Sequence, residues 1–215
     1  MFVTTYNQTI KMFKKNTMQI KLIFISGTSS TGKSTASRIL HNQLQQSNAK
    51  WLNFKVDDFL RMIGSRYLDL FHNQEIYKNG VPEYLTKQND YYFVENDELK
   101  YGELSSKLFY LIPDFLEQLL EQDFYIIADA FFETDEDIKN LKERFKQYNP
   151  QFIYFQASKE TRDKREAERM DRIKGMSDRW LKSFKCEYLS DIMIDTDNLT
   201  PEEVAAKILN YLGNC

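Results

Sequence analysis

The residues Gly27-Thr28-Ser29-Ser30-Thr31-Gly32-Lys33-Ser34 fit G-x-x-x-x-G-K-[ST] at every fixed position, and Thr35 follows them. Glycines at the two ends let the backbone turn its N–H groups toward one point. Those groups, with the positive end of a following helix, cradle phosphate oxygens. In this chemistry Lys33 neutralises the β- and γ-phosphates of a nucleotide and the Ser34 hydroxyl ligates Mg²⁺. The competing reading is a Ser/Thr-rich turn with an exposed lysine. The flanks speak against it: an apolar run over residues 20–26 ends just before the loop, and a helical pattern starts inside it.

Three carboxylates stand where such a loop would need them. Asp57 and Asp58 follow the apolar run 51–56. In open α/β sheets ligands bind beyond the carboxyl ends of strands. Asp57 there suits the acceptance of a proton from a substrate hydroxyl during phosphoryl transfer, and Asp58 suits the N-cap of a helix starting near Phe59. Capping alone would also account for an aspartate at this place. Asp129 closes the run Tyr125-Ile-Ile-Ala-Asp129. That is the usual place for a carboxylate holding Mg²⁺, with a plain turn aspartate as the alternative.

A basic stripe completes the set. Arg162, Arg165, Arg169 and Arg172 recur at steps of three and four, so one helix over residues 159–174 would carry them on one face. A row of guanidinium groups can clamp a polyphosphate as a lid. The alternative is a solvated helix laced by pairs such as Glu160–Lys164 and Glu168–Arg172. Arg165 and Arg169 form a like-charge i,i+4 pair that a purely self-paired helix would avoid. Gly175 is placed to end the helix.

The elements that must position these groups alternate. Strand patterns cover residues 20–26, 51–56, 124–128, 152–155 and 192–194. Helical patterns cover 33–45, 104–120, 135–147 and a last segment opened by Thr200-Pro201-Glu202-Glu203, which reads as a capping box with proline at the first helical position. Pro113 predicts a kink or break in the second helix. Alternation of this kind means βαβ units and a mostly parallel five-stranded sheet covered on both faces, an α/β three-layer fold. Residues 63–102 interrupt it. We read them as an insertion, in which Tyr84, Tyr91, Tyr92 and Tyr101 either pack a β-hairpin or stack a substrate. Residues 1–19 read as a flexible tail ahead of a single domain over 20–215.

Composition narrows the classes. The 215 residues are 42% hydrophobic and 28% charged with net charge −3, which suits a globular chain and argues against a general nucleic-acid binder. No apolar run is long enough for a membrane span. Cys186 and Cys215 are too few for a disulfide framework and lack metal spacing, so a cytoplasmic setting is expected.

Together these residues resemble the chloramphenicol phosphotransferase family of P-loop kinases. The resemblance rests on Gly27–Ser34, on Trp51-Leu-Asn-Phe-Lys-Val-Asp57, on Ile126-Ile-Ala-Asp129, on Arg165-Glu-Ala-Glu-Arg169-Met-Asp-Arg172-Ile-Lys-Gly175-Met176 and on Asp195-Thr196. It implies a P-loop kinase fold, ATP and Mg²⁺ as cosubstrates, and phosphorylation of a small-molecule hydroxyl. It implies Asp57 as base and the lid arginines Arg165, Arg169 and Arg172 on phosphate. Two features depart from the family. Its double acid at the third strand is here Ala128-Asp129, and the insertion is richer in charge and tyrosine. A nucleoside or nucleotide kinase is the second expectation. A nucleotide-regulated binding protein without an acceptor is the third.

Overall fold

A computed structural model describes residues 20–60, 62, 92–95, 98–130, 134–168, 175, 177, 178, 181 and 189–214. The tail over 1–19, most of the insertion, and Arg169 and Arg172 lie outside the described residues.

Five strands form one sheet: β1 (Leu22–Gly27), β2 (Trp51–Lys55), β5 (Tyr125–Asp129), β6 (Gln151–Gln156) and β7 (Ile192–Asp195). Their order is β2-β5-β1-β6-β7, and every pairing is parallel. β1 sits at the centre and is buried along its length. Its side chains alternate. Leu22 and Phe24 enter one core, and Ile23 and Ile25 enter the other. Both faces are covered, so β1 reads as a continuous apolar run.

The first face packs against α2 (Val56–Leu60), α3 (Glu103–Glu121) and α4 (Asp135–Arg144). The second packs against α1 (Lys33–Gln45) and α6 (Pro201–Leu212). α5 (Lys159–Ala167) follows β6. The expected capping box of α6 is present: the Thr200 side chain accepts from the Glu203 N–H, and Glu203 reaches back to the Thr200 backbone. α4 carries the same device on Thr134 and Asp137.

Three expectations need correction. Helix α3 runs through Pro113 without a break. Proline costs a helix interior about 3 kcal/mol. The buried stripe Ile112, Leu116 and Leu120 spans the site, and each such side chain is worth about 1.5–3 kcal/mol. Packing therefore outweighs the lost hydrogen bond. That stripe is narrower than the apolar pattern, for Leu104, Leu111 and Phe115 stay exposed. Secondly, α2 starts at Val56, directly after β2, so Asp58 lies inside its first turn and does not cap it. Thirdly, α5 ends at Ala167, well before Gly175, which has φ +80° in a turn of its own.

Within the interrupting region, β3 (Tyr92–Glu95) and β4 (Glu98–Tyr101) pair as an antiparallel hairpin, with Tyr92 opposite Tyr101. Tyr84 and Tyr91 lie outside the described residues.

Candidate active site

The loop between β1 and α1 is shaped by three residues with positive φ: Gly27 at +136°, Ser30 at +65° and Gly32 at +94°. A Cβ on Gly27 would stand 2.3 Å from the Phe155 carbonyl oxygen, so the neighbouring strand admits only glycine there. The Thr31 hydroxyl donates to the Thr28 carbonyl at 2.9 Å and closes the turn. Lys33 Nζ folds back onto the loop, donating to the carbonyls of Gly27 at 2.6 Å and Thr28 at 2.8 Å. The hydroxyls of Ser29 and Ser30 are buried with no hydrogen-bond partner.

Ser34, on the first turn of α1, donates to Asp129 Oδ2 at 2.6 Å. Asp129 is 8% exposed at the end of β5. The contact follows from register, since Ile25 of β1 lies opposite Asp129 of β5. The residues present fit Mg²⁺ with a polyphosphate. A hydroxyl and a carboxylate supply two hard oxygen ligands, and Mg²⁺ commonly takes its remaining ligands from water and phosphate. Each orphaned serine hydroxyl has a proton of the kind a phosphate oxygen accepts. Among the described residues no cluster of three or more His, Cys, Asp or Glu side chains could hold a metal by itself.

Asp57 is half-buried in the first turn of α2. Its strand, β2, does not neighbour β1: β5 stands between them, with Lys55 opposite Asp129. Asp57 thus sits at the same edge of the sheet as the loop, one strand further out than adjacency would give. Asp58 is exposed and pairs with Lys55 at 3.8 Å.

The basic stripe divides. Arg165 crosses from α5 to the loop. Its Nη1 donates to Thr196 Oγ1 at 3.0 Å and to the Ser30 carbonyl at 3.4 Å, and its Nη2 donates to the Thr196 carbonyl at 2.7 Å. Arg162 turns the other way. Its side chain is 6% exposed, donating to the Ala157 carbonyl and to Asp178, both at 2.7 Å. Neither partner belongs to the loop between β1 and α1. Lys159 also pairs with Asp178, and these two cations, Lys159 first, hold that carboxyl below its ordinary range against the opposing effect of burial. Glu166 is buried and accepts the backbone N–H groups of Gly175 at 2.7 Å and Ser177 at 3.1 Å.

A pocket of about 280 Å³ opens beside the loop, between Gly32, Thr35, Arg165, Thr196, Leu199 and Pro201. Thr35 is exposed at its rim. Leu199 and Pro201 were not foreseen as site residues. The available signal was their place, just past the carboxyl end of the last strand. The structure therefore gathers Gly27, Thr28, Ser29, Ser30, Thr31, Gly32, Lys33, Ser34, Thr35, Asp129 and Arg165 around one loop. It sets Asp57 on the same edge. No described helix is long and apolar enough to cross a membrane.

The family model described as chloramphenicol phosphotransferase-like protein matches residues 20–213. Among curated proteins none matches the sequence. Several solved structures share the fold at low identity. A gluconokinase from Sinorhizobium meliloti 1021 superposes with a TM-score of 0.60 at 12% identity, covering 91% of this chain and 93% of that one. The APS kinase of Mycobacterium tuberculosis, solved with AMPPNP and APS, gives 0.59 at 11% identity over 90% and 98%. Shikimate kinase from Acinetobacter baumannii, solved with shikimate, gives 0.55 at 15% identity over 94% and 96%.

Proposed function

The chain belongs to the chloramphenicol phosphotransferase-like protein family, and from that membership we propose an ATP-dependent kinase that phosphorylates a hydroxyl group of a small molecule. The observation that carries the reading is the 2.6 Å contact of Ser34 with Asp129 beside the lysine of the phosphate loop. A turn with an incidental lysine has no need to bury a carboxylate against the next serine.

In this reading the loop amides and the Ser29 and Ser30 hydroxyls bind phosphate oxygens. Lys33 exchanges its loop carbonyls for the β- and γ-phosphates. Ser34 and Asp129 would hold Mg²⁺, which supplies positive charge against the charge developing on the transferred group. The pocket past Arg165 takes the nucleotide base. Asp57 accepts the proton of the acceptor hydroxyl as its oxygen attacks the γ-phosphorus and ADP leaves. Arg169 and Arg172, carried over from the family, would add to the charge stabilisation.

The test is mass spectrometry after incubation with Mg-ATP and a panel of acceptors, chloramphenicol first and nucleosides next, with Lys33→Ala as the blank. A product heavier by one phosphoryl group, absent with the variant, supports the kinase and identifies its acceptor class. A phosphorylated nucleoside would favour the nucleoside kinase. ATP bound without any product across the panel would overturn catalysis in favour of a nucleotide-regulated binding protein.

A further inference from the structure

Four carbonyl groups of the phosphate loop accept hydrogen bonds from side chains. Lys33 takes those of Gly27 and Thr28. Arg165 takes that of Ser30 at 3.4 Å. The Thr196 hydroxyl donates to that of Thr31 at 3.0 Å. Cis peptide bonds are absent from the described residues, and in a trans peptide the C=O and the next residue's N–H point in opposite directions. A tether on a carbonyl therefore aims the following amide. The Ser30 carbonyl sets the Thr31 amide, and the Thr31 carbonyl sets the Gly32 amide.

Thr196 is itself held firmly. It is 2% exposed. Its N–H donates to the Gln156 carbonyl at 3.0 Å, and its carbonyl accepts from Arg165 Nη2 at 2.7 Å. Its hydroxyl accepts from Arg165 Nη1 at 3.0 Å. A hydroxyl has one proton to give. Acceptance from Arg165 leaves that proton for the Thr31 carbonyl or, at 3.2 Å, the Gln156 carbonyl. One buried side chain thus joins β6, β7, α5 and the loop.

We propose that Thr196 is a positioning residue for triphosphate binding: its hydroxyl holds the Thr31 carbonyl outward and so aims the Gly32 amide into the cradle. This rests on the reading of the loop as a phosphate site. It is separate from the place of Thr196 in the wall of the neighbouring pocket. A wall residue would act on the base alone, whereas a brace of the loop acts on a phosphate chain that carries no base.

Inorganic tripolyphosphate distinguishes the two. Its affinity and that of ATP are measured by calorimetry for the parent protein, for Thr196→Val, which keeps shape and loses the hydroxyl, and for Thr196→Ser, which keeps the hydroxyl. Loss of one buried hydrogen bond is expected to weaken tripolyphosphate about tenfold in Thr196→Val. Thr196→Ser is expected to restore it. Loss of ATP affinity with tripolyphosphate affinity intact would assign Thr196 to the wall only and overturn the proposal, as would unchanged affinity for both. No tripolyphosphate binding by the parent protein would overturn the phosphate-site reading itself and this proposal with it. Should circular dichroism show Thr196→Val unfolded, Thr196→Cys, a weaker donor of similar size, is measured instead. It is expected to weaken tripolyphosphate, and parent-like affinity would again overturn the proposal.

Discussion

Ser34 at the start of α1 and Asp129 at the end of β5 are far apart in the chain and meet at 2.6 Å. The bond exists because β5 lies directly against β1, with Ile25 opposite Asp129. The strand thereby delivers a carboxylate to the first turn of the helix that follows its neighbour.

Asp129→Asn keeps an oxygen that can accept from Ser34 while removing the charge. The fold is expected to survive. The Mg²⁺ concentration needed for half-maximal rate is expected to rise about 10–100-fold. Initial rates over a Mg²⁺ series at fixed ATP check it, and an unchanged requirement removes Asp129 from the cation site.

Asp57→Asn is expected to lower turnover by about 10²–10⁴ while ATP affinity is kept. Single-turnover rates paired with calorimetric ATP binding separate the two effects. Turnover equal to the parent's would remove Asp57 from the reaction.

Arg162→Met is expected to lower stability by about 1–2 kcal/mol, the scale of lost hydrogen bonds from a charged group whose partner keeps a second cation. Asp178 retains Lys159. KM for ATP is expected to stay near the parent's, because Arg162 faces Ala157 and Asp178 and not the loop. Urea unfolding and a Michaelis series settle it. A sharp rise in KM would place Arg162 on phosphate after all.

Asp123 pairs with Lys21 at 2.6 Å and Lys50 at 2.5 Å. The hydrogen bonds of these lysines, Lys21 first, depress its carboxyl from 3.8 to about 2. A carboxyl lowered in the folded state is more easily protonated in the unfolded one. Its stabilising effect is therefore fully present above pH 3.8 and fades as pH falls through about 2. Urea unfolding from pH 5 downward, compared with Asp123→Asn, should show the two proteins converging at the acid end. A constant gap would contradict the assignment.

The phosphate loop was legible in the sequence because its chemistry is local: two glycines, a lysine and a serine act within one turn. The five strands and the capping box at Thr200 are local too, and they appear within a residue or two of the pattern. Strand order is not local. Nothing in Trp51–Lys55 says that β5 will stand between it and β1, so Asp57 comes to lie one strand further out than simple adjacency suggests. The two described arginines of the stripe part for a related reason. Spacing places Arg162 and Arg165 on one helix face, but the partners differ: Asp178 draws one arginine away, and Thr196 draws the other across the loop. Pro113 shows the same limit from the other side, since a local rule predicts a kink or a break and tertiary burial keeps the helix continuous.

The central place of β1 also governs when the sheet can assemble. Leu22 pairs with Ile126 on one side, and Ile23 pairs with Gln151 on the other. On a ribosome adding about 5–20 residues per second, this apolar strand waits roughly 5–20 s for its first neighbour. Pairings so distant in sequence slow folding, because a large loop must close before any contact repays it. The newborn chain is thus expected to lean on holding chaperones during that interval.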